Sequence, residues 1–247
     1  MQVRFVGCGD AFGSGGRQNT CFHITGNSVN CLIDCGASAL PALPALKRYG
    51  ITRNDIDLIL ITHFHGDHFA GLPCFLLDAQ FARRTRPLVI AGPEGIETKL
   101  PQVMEVMFEH SSKTQQKFEL SVLPLKPEET RSFGAVTVTP YPVVHGESGG
   151  PFLGYRLEAE GRVLAYSADT EWTETLIPAA RGADLFIAEA YYYDKVVKNH
   201  LSLKTLEVHL SRINPKRLVL THMSDDMLGR LDTLGYTAAS DGMVVEL

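Results

Sequence analysis

The sequence predicts an α+β fold in which two central β-sheets carry helices on their outer faces. Three observations lead to this prediction. Short β-rich runs come first and helical segments follow, and this order occurs twice along the chain. The apolar runs LILITH and LVLTH, which end at His63 and His222, both deliver a Thr-His pair. No low-complexity run or long linker interrupts the 247 residues, so we expect one domain spanning residues 1–247.

The first half of the chain is expected to open with strands and to continue with strands and helices in alternation. The predicted strands are 3–6, 20–25, 30–33, 57–61 and 88–91, and the predicted helices are 37–49, 69–83 and 96–109. The segment 57–61, DLILI, is a continuous apolar run of buried-strand length. Pro41 and Pro44 disfavour a regular helix over 37–49.

The second half repeats this pattern. Strands are predicted at 136–144, 152–159, 162–166, 185–188, 217–220 and 243–246, and helices at 173–180, 203–213 and 225–234. Residues 136–144 alternate apolar and polar side chains with the period of a strand. Glu160-Gly161 separates two β-rich runs and predicts a tight hairpin turn.

The overall composition excludes several classes of protein. Apolar residues make up 45% and charged residues 21%, which is ordinary for a soluble globular chain. The formal net charge of −5 disfavours broad, non-specific attraction to nucleic acid. No run is long and apolar enough to span a bilayer, and the first residues do not resemble a secretion signal. Five scattered cysteines fit reduced thiols, so we expect a cytoplasmic protein.

The strongest chemical signal is the segment Thr62-His63-Phe64-His65-Gly66-Asp67-His68, which directly follows a predicted buried strand. His63 and His65 are two residues apart, so an extended backbone points both rings the same way. Asp67 and His68 then start the next helix, where they can face a second ion. Imidazole and carboxylate ligands suit zinc, and also manganese or iron.

Three further residues are predicted to complete the metal site. His145, Asp169 and His222 each follow an apolar β-like run, so each is expected at the carboxyl end of a strand. A lone histidine is more often a core or surface residue, but their shared placement favours ligand roles for all three. His23, His110 and His209 have no ligand type at useful spacing and are interpreted as structural or solvated.

This ligand pattern resembles the metallo-β-lactamase superfamily, in which the motif HxHxDH is highly specific. The resemblance implies an αβ/βα four-layer sandwich with two divalent metal ions, zinc being expected and Mn²⁺ or Fe²⁺ the alternatives. By the family pattern, one ion would be held by His63, His65 and His145. The other would be held by Asp67, His68 and His222, with Asp169 bridging both.

Further features resemble ribonuclease Z and the small phosphodiesterases of this superfamily. They are the opening FVGCGDAFGSGGRQNT, the segment Asn199-His200-Leu201-Ser202 and the tail Asp241-Gly242-Met243. The resemblance implies that His200 is catalytic, whereas the alternative is a loop residue before a helix capped by Ser202. Glu189 could orient His200 or simply cap a loop, and Tyr191–Tyr193 could stack on a substrate ring or be half-buried loop residues.

The chain departs from ribonuclease Z in one respect. That family carries a long tRNA-binding arm between the segments that match His145 and Asp169, and only 23 residues separate them here. A short basic cluster, Arg83-Arg84-Arg86, is interpreted as a solvated face. Processing of tRNA is therefore the less favoured of the phosphodiester reactions.

The expected function is that of a dinuclear-metal hydrolase, and most specifically a phosphodiesterase. Two ions ~3.5–4 Å apart lower the pKa of a shared water and so supply a bridging hydroxide as nucleophile. Asp67 would orient the nucleophile, and His200 would donate a proton to the leaving oxygen. The expected substrate is a small-molecule or nucleotide phosphodiester, no membrane partner is expected, and a homodimer is an expectation by analogy.

The sequence is compatible with three alternative functions. The first is a ribonuclease Z-type endonuclease acting on tRNA 3′ ends. The second is a hydrolase of another ester, such as an aryl sulfate, a lactone or a thioester. The third is a non-hydrolytic metal protein.

Overall fold

The structure, a computed structural model, describes residues 1–39, 49–147 and 150–247. Strands β1 to β6 are Gln2–Gly7, Cys21–Thr25, Asn30–Ile33, Leu58–Leu60, Leu88–Pro93 and Leu120–Leu125. Strands β7 to β10 are Arg131–Phe133, Val136–Pro142, Leu153–Ala159 and Arg162–Tyr166, and β11 to β14 are Leu185–Glu189, Leu218–Thr221, Thr237–Ala238 and Val244–Glu246. Helices α1 to α6 are Gly66–Phe69, Leu72–Phe81, Ile96–Met107, Leu176–Ala180, Leu203–Ile213 and Asp225–Leu228.

These strands form two sheets of seven strands each, counted over the described residues. The first has the order β14-β1-β2-β3-β4-β5-β6, and the second has the order β13-β12-β11-β10-β9-β8-β7. Each sheet is parallel on one side, from β3 to β6 and from β10 to β13, and antiparallel on the other. Because parallel strands end at the same edge, each sheet gathers several loops at one edge.

The main core lies between the two sheets. The inward faces contribute aromatic and branched side chains that solvent does not reach, such as Phe5, Phe22, Leu157 and Ile187. Phe22 on β2 meets Tyr166 on β10 edge to face, with ring centroids 5.0 Å apart. This packing joins the two sheets, as the face-to-face arrangement of a sandwich requires.

Helices cover the outer face of each sheet. Buried side chains of α2 and α3, including Phe75, Leu76 and Leu100, pack on the outside of the first sheet. Leu203, Leu206 and Ile213 of α5 pack, together with residues of α4, on the outside of the second. The predicted α+β fold with an αβ/βα four-layer arrangement is therefore confirmed.

Several predicted elements have different bounds in the structure. The predicted helix 69–83 is instead two helices, α1 and α2, separated near Gly71. A Cβ at Gly71 would lie 2.4 Å from the Gly36 carbonyl and 2.5 Å from that of Cys35, so the chain needs a glycine there. The predicted helix 225–234 ends at Leu228 and is followed by one 3₁₀ turn, Leu231–Thr233. Most of the predicted helix 37–49 lies outside the described residues, and Ala37–Ala39 is a 3₁₀ turn.

Three strands were missed because their sequences carry little periodicity. Strands β7 and β13 have only three and two residues. Strand β6, LSVLPL, lies at the sheet edge and is mostly half-buried. Its Pro124 opposes a strand prediction, although an edge strand tolerates proline.

The basic cluster is only in part the solvated face that we expected, because Arg83 and Arg86 are exposed whereas Arg84 is not. The Arg84 side chain is fully buried. Its guanidinium donates to the backbone carbonyls of Ile56 (2.6 Å), Pro87 (2.7 Å), Arg86 (2.8 Å) and Arg53. The guanidinium thus ties together the segments that precede β4 and β5, because its fan of N–H groups can satisfy several carbonyls at once.

Across the described ranges, no helix has both the length and the apolar character that crossing a bilayer requires.

Candidate metal centre

The predicted metal ligands lie on loops at one edge of the paired sheets. His63 and His65 follow β4, His145 follows β8, Asp169 follows β10 and His222 follows β12. The two sheets meet here through backbone hydrogen bonds. The Leu153 N–H donates to the Thr62 carbonyl (3.0 Å), and the His222 N–H donates to the Cys8 carbonyl (3.1 Å).

The HxHxDH segment changes from strand to helix within a few residues. His65 is extended, with ψ 150°, and its carbonyl accepts from the backbone N–H of His68 (3.1 Å) and Phe69 (2.9 Å). Helix α1 therefore begins at Gly66 and carries Asp67 and His68. The extended part presents His63 and His65, and the helical part turns Asp67 and His68 toward a different point.

Three of the histidines form the first group of possible ligands. His63, His65 and His145 each offer a ring nitrogen, and these nitrogens lie within 4.8 Å of one another. The His145 Nε2 and His65 Nδ1 atoms are 3.0 Å apart. Facing imidazole nitrogens at this spacing are suited to sharing one ion.

Asp67, His68, Asp169 and His222 form the second group, also within 4.8 Å. Asp169 Oδ2 lies 3.3 Å from His68 Nε2 and 3.2 Å from His222 Nε2. The same oxygen is 3.7 Å from His145 Nε2 of the first group. Asp169 therefore lies between the two groups, where a bridging ligand would have to be.

Burial and charge set the protonation of these groups. Burial lowers the pKa of His63 well below its usual range, and it lowers the pKa of His145 to about 4. Burial also opposes the charge of His222, but the Asp169 and Asp67 carboxylates outweigh it and raise this pKa to about 9. Burial raises the pKa of Asp169, yet the neighbouring histidines hold it well below its usual range. His63, His145 and Asp169 are therefore already in the protonation states that ligate metals, whereas His222 would release a proton to the solvent when an ion binds.

The pattern of hydrogen bonds fits metal ions. The Nδ1–H groups of His63, His68 and His145 donate to Thr62 Oγ1 (3.0 Å), Asp34 Oδ2 (2.8 Å) and the Asn199 carbonyl (2.7 Å). Among the described residues, His63 Nε2, His68 Nε2 and Asp169 Oδ1 are buried without a hydrogen-bond partner. Buried polar atoms without partners are costly, and a cation facing them would satisfy them.

Asp34 is a functional candidate that the sequence analysis missed. Its carboxylate is fully buried and accepts from the Thr62 N–H (2.8 Å), the Thr62 hydroxyl (2.9 Å) and His68 Nδ1–H (2.8 Å). Since Thr62 Oγ1 in turn accepts from His63, Asp34 orients one histidine of each group. A signal was available, because Asp34 directly follows β3, as the other polar site residues follow their strands.

His200 lies beside both groups and is held by Glu189. The His200 ring is 4.9 Å from that of His145 and 5.8 Å from that of His222, centroid to centroid. Its Nδ1–H donates to Oε1 of the fully buried Glu189, whose Oε2 accepts from the N–H groups of Leu201 (3.0 Å) and Thr170 (2.9 Å). Burial lowers the pKa of His200, but Glu189 more than compensates and raises it. Ser202 also caps α5, accepting from the Thr205 N–H at 3.2 Å, so the capping prediction is confirmed.

The three consecutive tyrosines divide into two kinds. The Tyr191 ring stacks on His200 with centroids 4.5 Å apart and lines the cleft. The Tyr192 ring contacts the Lys195 ammonium group, and the Tyr193 ring contacts both Lys204 and Arg230. Of these three, therefore, Tyr191 is the one that lines the cleft.

The three remaining histidines belong to neither ligand group and do not contact His200. His23 is buried and hydrogen-bonded to Asn30 (2.7 Å), and His209 stacks on Trp172 with centroids 3.7 Å apart. His110 is exposed. Their interpretation as structural or solvated agrees with these contacts.

Proteins of known family are similar to this chain in sequence and in fold. A model of the beta-lactamase superfamily domain matches residues 29–223. The chain is 30% identical over 256 aligned positions to Ribonuclease Z of Agathobacter rectalis, covering 85% of this chain and 83% of the relative. Among solved structures, the short form of human tRNase Z has a TM-score of 0.79 at 25% identity, covering 100% of this chain and 99% of the other. The metallo-β-lactamase fold protein YhfI of Bacillus subtilis has a TM-score of 0.78 at 21% identity, covering 99% of both chains. The chain therefore belongs to the metallo-β-lactamase superfamily of metal-dependent hydrolases, in its ribonuclease Z-like branch.

Proposed function

We propose that this chain is a dinuclear-metal phosphodiesterase that acts on small or nucleotide diesters. The observation that carries the proposal is the position of His200 beside both ligand groups, with its Nδ1–H committed to a buried carboxylate. This leaves Nε2 as the atom that can hold a proton for a leaving alcohol. A proton donor beside a metal pair is what cleavage of an unactivated phosphoric diester requires.

In this proposal His63, His65 and His145 would hold one ion, Asp67, His68 and His222 would hold the other, and Asp169 would be shared by both. Zinc is the metal we expect from the imidazole and carboxylate donors, with Mn²⁺ or Fe²⁺ as alternatives. When bound, the ions supply a water of lowered pKa and stabilise the charge that develops on the phosphoryl oxygens.

The protein groups contribute orientation and proton transfer. Asp67 Oδ2 lies 3.2 Å from His222 Nε2 and 3.3 Å from His68 Nε2, so its carboxylate is fixed at the mouth of the second group. From there it would orient the attacking water and accept its proton. His200 would donate its Nε2 proton to the leaving oxygen, while Glu189 keeps the ring oriented and charged.

The shape of the site supports a small substrate. Over its described residues, the segment between His145 and Asp169 contains β9 and β10, joined by the two-residue turn Glu160-Gly161, and no tRNA-binding arm. The cleft at the ligand groups has a volume of about 190 Å³. This is below the roughly 300–1,000 Å³ of typical ligand pockets, so the cleft would enclose the ester while a larger substituent extends to its open mouth.

A substrate panel with the zinc-loaded protein tests the proposal. Bis(p-nitrophenyl) phosphate, an aryl sulfate, a lactone and a thioester are compared, and the phosphodiester should be hydrolysed fastest. If another ester is hydrolysed fastest, the protein is a hydrolase of that ester and not a phosphodiesterase. If the protein binds two ions but hydrolyses none of these four esters, it would instead be a non-hydrolytic metal protein. Asp169→Ala should lose bound metal and activity together, and unchanged activity in this variant would refute the proposed site.

The role of His200 has its own test. His200→Ala should lower kcat by roughly 100- to 10,000-fold for a diester with an alkyl leaving group. The loss should be much smaller with p-nitrophenoxide, which leaves without a proton. His110→Ala, an exposed histidine outside the ligand groups, is the control. Equal losses with both leaving groups would exclude proton donation by His200.

A ribonuclease Z-type endonuclease is the second candidate, because the Agathobacter rectalis relative carries that name. In that case the protein should cleave precursor tRNA, and its activity should fall steeply with added salt as phosphate contacts are screened. Weak salt dependence together with fast hydrolysis of small diesters would favour the phosphodiesterase.

A further inference from the structure

An exposed aromatic ring stands at the mouth of the candidate site. Phe12 follows β1 and lines the same cleft as His65, His145 and His200, yet 84% of its surface is open to solvent. The ring therefore contributes little to the core. A single exposed apolar side chain is ordinary, so the loop that carries it must be considered as well.

This loop is held in place by a buried carboxylate. Asp10 is fully buried and accepts from the Phe12 N–H (3.2 Å), the Ser14 N–H (2.9 Å) and the Ser14 hydroxyl (2.7 Å). The backbone carbonyl of Asp10 accepts from the Asn19 side-chain amide (2.9 Å). A surface loop with this many fixed donors presents Phe12 in a defined position, which favours a binding role over an incidental exposure.

The second aromatic wall of the cleft is the Tyr191 ring. Tyr191 stacks on His200 and is fixed through its backbone, since its N–H donates to Leu201 (2.9 Å) and its carbonyl accepts from the Ser224 N–H (3.1 Å). Hydrogen bonds of its own backbone therefore hold each of the two aromatic residues in place.

We propose that Phe12, with Tyr191, binds a planar aromatic ring carried by the substrate, so that the substrate is a phosphodiester with a nucleobase or an aryl group near the scissile phosphate. This inference rests on the proposed function and specifies its substrate class. The described lining of the cleft contains aromatic and metal-ligating residues but no lysine or arginine. Recognition of the group beside the ester therefore depends on apolar and π contacts rather than on additional phosphate charges.

The reaction remains a simple hydrolysis. One water is consumed, its oxygen forms the new P–O bond, and the bond from phosphorus to the leaving oxygen breaks. One proton passes to the leaving oxygen, so the products are a phosphate monoester and an alcohol. The aromatic ring stays on one of the two products and undergoes no chemistry.

The test compares ligand pairs that differ only in a ring. In the first arm, adenosine monophosphate and ribose 5-phosphate are compared as competitive inhibitors of the zinc-loaded protein. In the second, kcat/KM is compared for bis(p-nitrophenyl) phosphate and methyl p-nitrophenyl phosphate. The variants are Phe12→Ala, Phe12→Trp and the control Phe81→Ala, which removes an equally exposed phenylalanine at the end of α2.

Phe12→Ala should weaken inhibition by adenosine monophosphate relative to inhibition by ribose 5-phosphate, or lower kcat/KM for the bis-aryl diester relative to that for the methyl diester. The expected change in either ratio is roughly 5- to 30-fold. The first result identifies a nucleobase and the second an aryl group. Phe12→Trp should retain the preference, and Phe81→Ala should not change it. Equal loss for both members of each pair, or no loss in either arm, would overturn the inference. If the wild-type protein hydrolyses neither diester, the proposed function fails, and calorimetric titration with the two inhibitors still tests the ring contact.

Discussion

The substitution Asp34→Asn should weaken metal binding at both ligand groups without removing a single ligand. The Asp34 carboxylate accepts directly from His68 Nδ1–H at 2.8 Å and, through the Thr62 hydroxyl, controls the orientation of His63. Asparagine has nearly the same shape, but only one of its two terminal atoms accepts hydrogen bonds. If its oxygen keeps the bonds to Thr62, its NH₂ group faces His68.

This change reverses the tautomer of His68. A neutral imidazole that accepts at Nδ1 must carry its proton on Nε2, which is the atom that faces Asp67 and Asp169. A protonated Nε2 cannot ligate a cation. Loss of a partner of this kind typically lowers metal affinity about 10- to 100-fold, which corresponds to about 1.4–2.7 kcal/mol. We expect Asp34→Asn to fall within this range for the ion held by His68.

Zinc affinity can be measured by competition with a chromogenic chelator, and bound metal by elemental analysis. Asp184→Asn is the matched control. Asp184 is also buried and accepts from a backbone N–H, that of Val163 (2.8 Å), but it precedes β11, at the end of that strand remote from the site. Thr62→Val should weaken mainly the ion held by His63, because it removes only the hydroxyl relay. Unchanged zinc affinity in Asp34→Asn, with correct folding, would refute the argument.

Three further predictions concern the stability and chemistry of the protein. Arg84→Met should lower the free energy of unfolding, measured in urea, by about 3–5 kcal/mol, because buried backbone carbonyls lose their donor. The control Arg83→Ala, at an exposed position, should have little effect. A loss below about 1 kcal/mol in Arg84→Met would contradict this prediction. Glu189→Gln should lower kcat for alkyl diesters less than His200→Ala does, with KM nearly unchanged. If kcat falls further in Glu189→Gln than in His200→Ala, Glu189 does more than orient the ring. The pKa of Asp184 is lowered from 3.8, first by the Lys216 hydrogen bond, so its contribution is present above that pH and is lost on acidification. The stability difference between wild type and Asp184→Asn should therefore shrink in urea unfolding series below pH 3.8, and a constant difference would exclude this role.

The layered fold was predictable because it depends on periodicity. The continuous apolar run of β4 and the alternating run of β8 predict which strand faces are buried, even when the elements that cover them are unknown. Once the strands are predicted, the polar residues that follow them are predicted to lie at strand ends. His145, Asp169 and His222 are far apart in sequence, but parallel and antiparallel strands of two packed sheets bring their ends to one edge. Their convergence follows from the fold once the strands are correctly assigned.

Residues that bind mainly backbone groups were not predictable in the same way. Glu189 was one of two alternatives considered from the sequence, and the position of Asp34 directly after β3 was an available signal. Asp10 and Arg84, in contrast, bind mainly backbone groups, and backbone groups have no sequence signature. A buried charge is stable only where several such donors or acceptors converge on it. That convergence depends on backbone positions from distant segments, so it is decided after the sheets have packed. The ligand set can therefore be recognised in a linear motif, while the contacts that fix its tautomers and the ring at Phe12 require the three-dimensional structure.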